Sequence, residues 1–193
     1  MVDEQTLGIR AQQVLHDKKW QKFLPRAGVF RYLPFVEFAF AAGSLAMGNV
    51  REDSDFDVIV KTDSGRLYAS RFFCLLLFSL LGWRRTFDNP KDGFCFNCFV
   101  AGDKQLILEP YNQYGRQLSD GLMRIEVSQN YMVKNFERLF AGQFGTLLEI
   151  FLKNWQLKRI NQNLQKFKLN SNSRIIINDN RVEVCLSLKD ILD

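Results

Sequence analysis

Hydrophobic and polar residues along the chain follow two spacings, one typical of helices and the other of strands. Apolar residues three or four apart predict helices over 5–25 and 128–168, and an almost wholly apolar run predicts a buried helix over 65–81. Shorter apolar runs predict strands at 35–41, 57–61, 94–100 and 105–109, and a hairpin over 175–184. Together these elements predict an α+β protein, a mixed β-sheet flanked by helices with a C-terminal helical segment.

The same pattern divides the chain into three segments. Residues 1–29 are predicted to form an N-terminal helix, 30–112 a core that contains the sheet, and 113–193 a helical extension with a terminal hairpin. The chain has 193 residues, 47% of them hydrophobic and 18 of them Phe. That composition supplies a sizeable core and argues against intrinsic disorder.

Candidate chemistry lies between the first two predicted strands. Gly43 and Ser44 follow the first strand at a predicted helix start, where backbone N–H groups can meet a phosphate. Asp55 and Asp57 are two residues apart at the start of the second strand, so both side chains should leave the same face. An ordinary turn and helix cap would also explain Gly43 and Ser44. It explains Asp57 poorly, because a carboxylate in a buried apolar run is costly unless it is paired or binds a metal.

The combination of Gly43-Ser44 with Asp55-Phe56-Asp57, at this spacing, resembles the nucleotidyltransferase superfamily that includes DNA polymerase beta. The resemblance implies a nucleotidyltransferase-like sheet and transfer of a nucleoside monophosphate from an NTP to a hydroxyl acceptor. It also implies that Asp55 and Asp57 hold two Mg²⁺ ions, while Gly43 and Ser44 bind the triphosphate.

One position departs from the family pattern. A third carboxylate is expected on the strand after the long helix, and the polar residue there is Asn97. An amide can ligate a metal through its oxygen but cannot accept the proton of the attacking hydroxyl. Glu109, on the next predicted strand, and Asp103, in the turn before it, are the candidate substitutes, and Asn97 can equally be a core amide. Three interpretations therefore stay open. The first is an active Mg²⁺-dependent enzyme, the second is a degenerate module that binds nucleotide or a protein partner in the manner of an antitoxin, and the third is a membrane-peripheral or purely structural protein.

Charge refines the expected partners. The formal net charge of +5 favours anionic partners such as nucleotides or nucleic acid. A basic stretch at the end of the 128–168 helix allows RNA binding, but it has few interleaved aromatic residues for stacking on bases. Arg66 and Arg71 begin the 65–81 helix, and at least one of them is expected to face the nucleotide or to pair with Asp63.

The remaining features concern compartment. The four cysteines are predicted to be reduced, because Cys95 and Cys98 lie within an apolar strand and no second ligand pair for zinc is evident. His16 is expected to be a solvated surface residue. The polar N-terminus has no signal-peptide pattern, and the most apolar run, 72–83, is shorter than a membrane span. The sequence thus predicts a cytoplasmic protein with no membrane association.

Overall fold

The computed structural model describes residues 4–86, 88–102, 123–125, 130–165 and 174–185. The elements there, in chain order, are α1 Glu4–Ala27, a 3₁₀ helix Gly28–Tyr32, β1 Val36–Ala41, α2 Gly43–Met47, β2 Phe56–Thr62, α3 Leu67–Leu80, β3 Phe94–Ala101, β4 Met123–Ile125, α4 Tyr131–Leu139, α5 Gln143–Leu164, β5 Arg174–Asn178 and β6 Arg181–Cys185. The α+β prediction, a mixed sheet flanked by helices, is confirmed.

Six strands form one sheet in the order β4-β1-β2-β3-β6-β5. β1 is antiparallel to both β2 and β4, whereas β2 and β3 are parallel because α3 carries the chain back between them. The predicted C-terminal hairpin is confirmed as β5 and β6, and β6 pairs with β3. The sheet therefore includes strands from both sides of residue 112. The strand predicted at 105–109 lies outside the described residues.

Alternation along β2 separates the two faces of the sheet. Phe56, Val58 and Val60 point into the main core, while Ile59 belongs to a smaller cluster on the other face. The main core is aromatic: Phe23 of α1 stacks on Phe94 with ring centroids 5.2 Å apart. By the same alternation, Asp57 leaves β2 on the face away from this core. The fold thereby carries a carboxylate on a buried strand without placing it among the aromatic rings.

The helices differ from prediction in three places. α1 runs through Pro25 to Ala27, so the predicted end at Pro25 is wrong by part of a turn. The single helix predicted over 128–168 is wrong, because the chain breaks between α4 and α5. A Cβ on Gly145 would lie only 1.8 Å from the Phe140 carbonyl oxygen, so the chain there doubles back closely on itself. α3 is not buried along its whole length, since Leu80 in its last turn is 75% exposed.

α5 is fastened to the start of α3 by polar contacts. The Glu149 carboxylate accepts hydrogen bonds from the backbone N–H groups of Tyr68 and Ala69, at 2.7 and 2.8 Å. These are N–H groups of the first helical turn, which have no partner inside the helix. Gln156 accepts a hydrogen bond from Arg71 at 2.7 Å and donates one to the Tyr68 carbonyl. The C-terminal helix thus caps the crossover helix.

Two further predictions concern cysteines and membranes. Cys74, Cys95 and Cys98 are buried and form no disulfide, in agreement with the predicted thiols. Within the described ranges, no helix is both long and apolar enough to cross a membrane.

Candidate metal and phosphate site

An open cleft of about 600 Å³ lies where α2 and the start of β2 meet the segment that leads into β3. It is lined by polar and charged residues from three stretches of the chain: Ser44 and Asn49, then Arg51, Asp53, Ser54, Asp55 and Asp57, then Arg85, Thr86 and Pro90. Three of the residues singled out from the sequence, Ser44, Asp55 and Asp57, thus line one space.

The acidic pair converges as its spacing predicts, and a third side chain joins it. Ligand atoms of Asp55, Asp57 and Cys95 all lie within 4.8 Å of one another. Cys95 comes there because β2 and β3 are parallel and pair Asp57 with Cys95 in register. The parallel register therefore places the thiol of Cys95, the second residue of β3, beside the two carboxylates.

Electrostatics distinguish Asp57 from its neighbours. Burial raises the pKa of Asp57 to about 6, and the negative charge of Asp55 adds to the shift while Arg85 opposes it. Burial, together with the charges of Asp57 and Asp55, raises the pKa of the Cys95 thiol to about 12 against the opposing effect of Arg85. Two neighbouring carboxylates, one of them largely buried, are unfavourable when both are ionised, and a bound cation would relieve that condition.

Arg85 brings a positive charge into contact with this cluster. Its Nη1 atom lies 3.1 Å from Asp55 Oδ2 and donates a hydrogen bond to Cys95 Sγ at 3.3 Å. Its backbone is fixed independently of the side chain, because the Arg85 N–H donates to the Phe94 carbonyl at 3.0 Å. A Cβ on Gly93 would lie 2.8 Å from Arg85 Cα, so a glycine is needed for this close approach.

Gly43 has a second role that its sequence context did not reveal. It begins α2 with φ +62°, a conformation that favours glycine, and a Cβ there would lie 2.1 Å from Asp57 Oδ2. The Asp57 carboxylate therefore occupies the space that any other residue at 43 would fill. The Ala42 N–H also donates to the Asp57 carbonyl at 2.9 Å. The turn and the acidic strand are thus packed directly against each other.

The loop between α2 and β2 is held from outside by α1. Gln12 donates to the carbonyls of Gly48 and Val50 at 3.1 and 2.9 Å. Lys19, only 3% exposed, donates to the carbonyls of Glu52 and Ser54 at 2.8 and 2.7 Å. One side of α1 therefore fixes the backbone of the segment that carries Asp55.

Lys19 also joins this loop to the segment before β3. Its ammonium group lies 2.7 Å from Asp92 Oδ1, and Lys22 contacts the other carboxylate oxygen at 2.7 Å. Burial alone would raise the pKa of Asp92, but hydrogen bonds from Lys19 and Lys22 outweigh it and hold that pKa below 3.8. Two walls of the cleft are thus tied to one buried ammonium group.

The other residues predicted from the sequence lie away from the cleft or outside the described residues. Asn97 is on β3, where only its backbone is described, and Glu109 lies outside the described residues. Neither Arg66, just before α3, nor Arg71, within it, lines the cleft. Arg66 donates to the Phe140 carbonyl at 2.7 Å, and Arg71 donates to Gln156. The Arg66 charge does lower the pKa of Asp63, although burial has the larger, opposite effect and the net shift is upward.

The prediction that His16 is a solvated surface residue is wrong. Its Nε2 atom lies 2.8 Å from the Leu45 carbonyl oxygen and 2.9 Å from Trp20 Nε1. His16 is therefore packed between α1 and α2, and its contacts are structural.

Sequence reasoning did not identify three residues of the site. Arg85 was visible as one of two arginines after a helix end, Cys95 as part of an apolar C-x-x-C, and Lys19 as one of two adjacent lysines. A useful signal for Lys19 existed, since it follows Leu15 and precedes Phe23 by four residues and so lies on the apolar face of α1. No local sequence signal placed Arg85 or Cys95 near the aspartates, because that proximity depends on the register of β3.

With the geometry established, comparison with known proteins adds no assignment: no family model, curated protein or solved structure matches this chain.

Proposed function

We propose that this protein is a nucleotidyltransferase that transfers a nucleoside monophosphate from an NTP to a hydroxyl acceptor. The observation that carries the proposal is the convergence of Asp55 and Asp57 beside Ser44 in one open cleft. The sequence resemblance supplies the family, and the six-stranded mixed sheet is compatible with its nucleotidyltransferase-like fold.

The residues present fit a divalent cation. Asp55 and Asp57 would hold it through carboxylate oxygens, the ligands that Mg²⁺ prefers. The pKa of Asp57 is raised first by burial and then by the charge of Asp55, and a cation would favour the ionised form of both carboxylates. When bound, Mg²⁺ supplies Lewis-acid stabilisation of the charge that develops on the phosphates. The family resemblance implies two such ions.

The chain's own residues would then bind and orient the substrate. The Ser44 hydroxyl would donate to a phosphate oxygen, while Gly43 leaves room for the Asp57 carboxylate behind it. In the reaction, the acceptor oxygen forms a bond to the α-phosphorus and the bond to the pyrophosphate oxygen breaks. The acceptor's proton requires a base, for which Glu109 remains the sequence-based candidate.

The test is transfer of labelled NMP in the presence of Mg²⁺ or Mn²⁺. We expect activity in the wild type and none in Asp57→Asn, because that variant keeps the shape of the side chain but loses a carboxylate ligand. If Glu109 is the base, Glu109→Gln should also abolish turnover while leaving NTP binding intact. Transfer that survives Asp57→Asn would contradict the proposal.

A second candidate is a nucleotide-binding module that acts through a protein partner without turnover. It is favoured by apolar side chains that α4 and α5 leave exposed, among them Tyr131, Leu139, Phe144, Leu147 and Phe151. A group of exposed apolar residues of this size is typical of an interaction surface. NTP binding without transfer in the wild type, and without recovery in Asn97→Asp, would favour this candidate over the enzyme.

A further inference from the structure

Among the residues that line the cleft, Arg85 makes the contact most relevant to metal and triphosphate binding. Asp55 and Asp57 are two adjacent acids, and the third acid lining the cleft, Asp53, lies 3.4 Å from Arg51 in an exposed pair. Among the residues that the structure describes, Arg85 is the cation in contact with the Asp55 carboxylate, at 3.1 Å. In the metal-free protein it therefore acts as a counterion of Asp55.

A divalent cation at the aspartates competes with this contact. Mg²⁺ binds carboxylate oxygens at about 2.1 Å, so a guanidinium nitrogen on the same carboxylate would be left only a few ångströms from the ion. Like charges at such a distance repel, even at an effective dielectric constant of about 20. Metal binding should consequently weaken the ion pair between Asp55 and Arg85.

The geometry of Arg85 allows its side chain to leave without disturbing the fold. Its backbone is fixed by the hydrogen bond to Phe94 and by the close approach of Gly93, and both are independent of the guanidinium group. The side chain is 33% exposed and lines the same cleft as Ser44. A planar guanidinium group with several donors is well suited to phosphate oxygens.

We propose that Arg85 is an exchangeable counterion, which neutralises Asp55 in the metal-free protein and binds the triphosphate of the substrate once a divalent cation takes its place. The inference rests on the proposed function and adds a substrate-binding residue to it. It predicts opposite effects of one substitution: without Arg85, metal alone binds more tightly and triphosphate binds more weakly. A residue that merely supported the fold would weaken both.

The experiment uses Arg85→Gln in the full chain, with Mn²⁺ alone as the first probe and inorganic triphosphate at saturating Mn²⁺ as the second. Removing one nearby positive charge should lower the Kd for Mn²⁺ on the order of tenfold. Losing a charge-assisted contact should raise the Kd for triphosphate by about tenfold or more. Arg85→Lys keeps the charge, so its Kd for Mn²⁺ should stay close to the wild-type value, whereas its triphosphate affinity should lie between those of the wild type and Arg85→Gln.

Arg51→Gln is the matched control, because it removes the same charge from the same cleft without touching Asp55. It should change either Kd by less than about threefold, as expected for an exposed ion pair. Unchanged or weaker Mn²⁺ binding in Arg85→Gln would overturn the inference, as would unchanged triphosphate binding or equal effects of Arg51→Gln. Wild-type protein that binds neither probe would overturn the proposed function as well, so the two failures are distinguishable.

Discussion

Replacing Asp57 by Asn should make the metal-free protein more stable, even though it removes a proposed metal ligand. The pKa of Asp57 is about 6 in the folded protein and 3.8 for an ordinary Asp. The folded state therefore binds the proton more tightly than the unfolded chain, by about two pKa units. Each unit corresponds to about 1.4 kcal/mol, so ionised Asp57 costs about 3 kcal/mol of folding stability at neutral pH.

The sign of this effect fixes its pH dependence. A raised folded pKa means that the favourable contribution is fully present below pH 3.8 and is lost as the pH rises through about 6. Asn cannot ionise, so Asp57→Asn should gain up to about 3 kcal/mol at pH 8 and almost nothing at pH 4. The pKa shift is set by burial and by the charges of Asp55 and Arg85, and the substitution alters none of these.

The assay is urea unfolding of both proteins from pH 4 to pH 8 in the presence of EDTA. Asp53→Asn is the control, because the Asp53 side chain is 70% exposed and its loss should change stability by less than about 0.5 kcal/mol. Added Mn²⁺ should then stabilise the wild type but not Asp57→Asn. An Asn variant that is less stable at pH 8, or whose stability gain does not change with pH, would refute the reasoning.

Three further predictions test the surroundings of the site. Lys19→Met should lower the free energy of unfolding by about 3 kcal/mol in urea, because it leaves Asp92 and two carbonyls without a buried ammonium donor, whereas exposed Lys18→Met should be near neutral. Gly43→Ala should abolish Mn²⁺ binding measured by titration, because its Cβ would meet Asp57 Oδ2. Ser44→Ala should keep the affinity for Mn²⁺ and weaken only the binding of triphosphate, and equal Mn²⁺ affinities of the two variants would contradict this. Asp92 has a lowered pKa, so its stabilisation is present above pH 3.8 and lost on acidification. Unfolding from pH 7 to pH 2 should therefore show Asp92→Asn less stable at neutral pH and converging with the wild type in acid.

The sequence predicts most of the scaffold because its local signals agree with the tertiary fold. Apolar runs identify β1, β2 and β3, and Asn-Asp-Asn marks the turn of the β5–β6 hairpin. The break between α4 and α5 was missed because Phe140 continues the apolar spacing, although Gly142 caps α5 and Gly145 lies in its first turn. Apolar periodicity reports which face is buried, but the glycines mark where the chain changes direction.

The site was predictable only where its residues are close in sequence. Asp55 and Asp57 are two apart, so strand geometry alone brings them together. Cys95 reaches them through the parallel register of β3, and Arg85 through a segment that runs beside the start of that strand. Neither of these long-range contacts has a local sequence signal. The sequence therefore suggested Asn97, rather than Arg85 or Cys95, as the further residue of the site.

The contacts of α1 explain how the chain can keep two adjacent acids in a folded state. Ionised Asp57 is unfavourable in the metal-free protein, and residues 51–55, which lead into it, are exposed or half-buried. Lys19 holds that segment through two carbonyls and joins it to Asp92, so a favourable buried ion pair lies one loop away from the two neighbouring acids. The N-terminal helix is thus part of the site's support, although none of its residues lines the cleft with the aspartates. Because the pKa of Asp57 is raised and that of Asp92 is lowered, acidification should remove the unfavourable charge at Asp57 while it weakens the ion pair at Asp92.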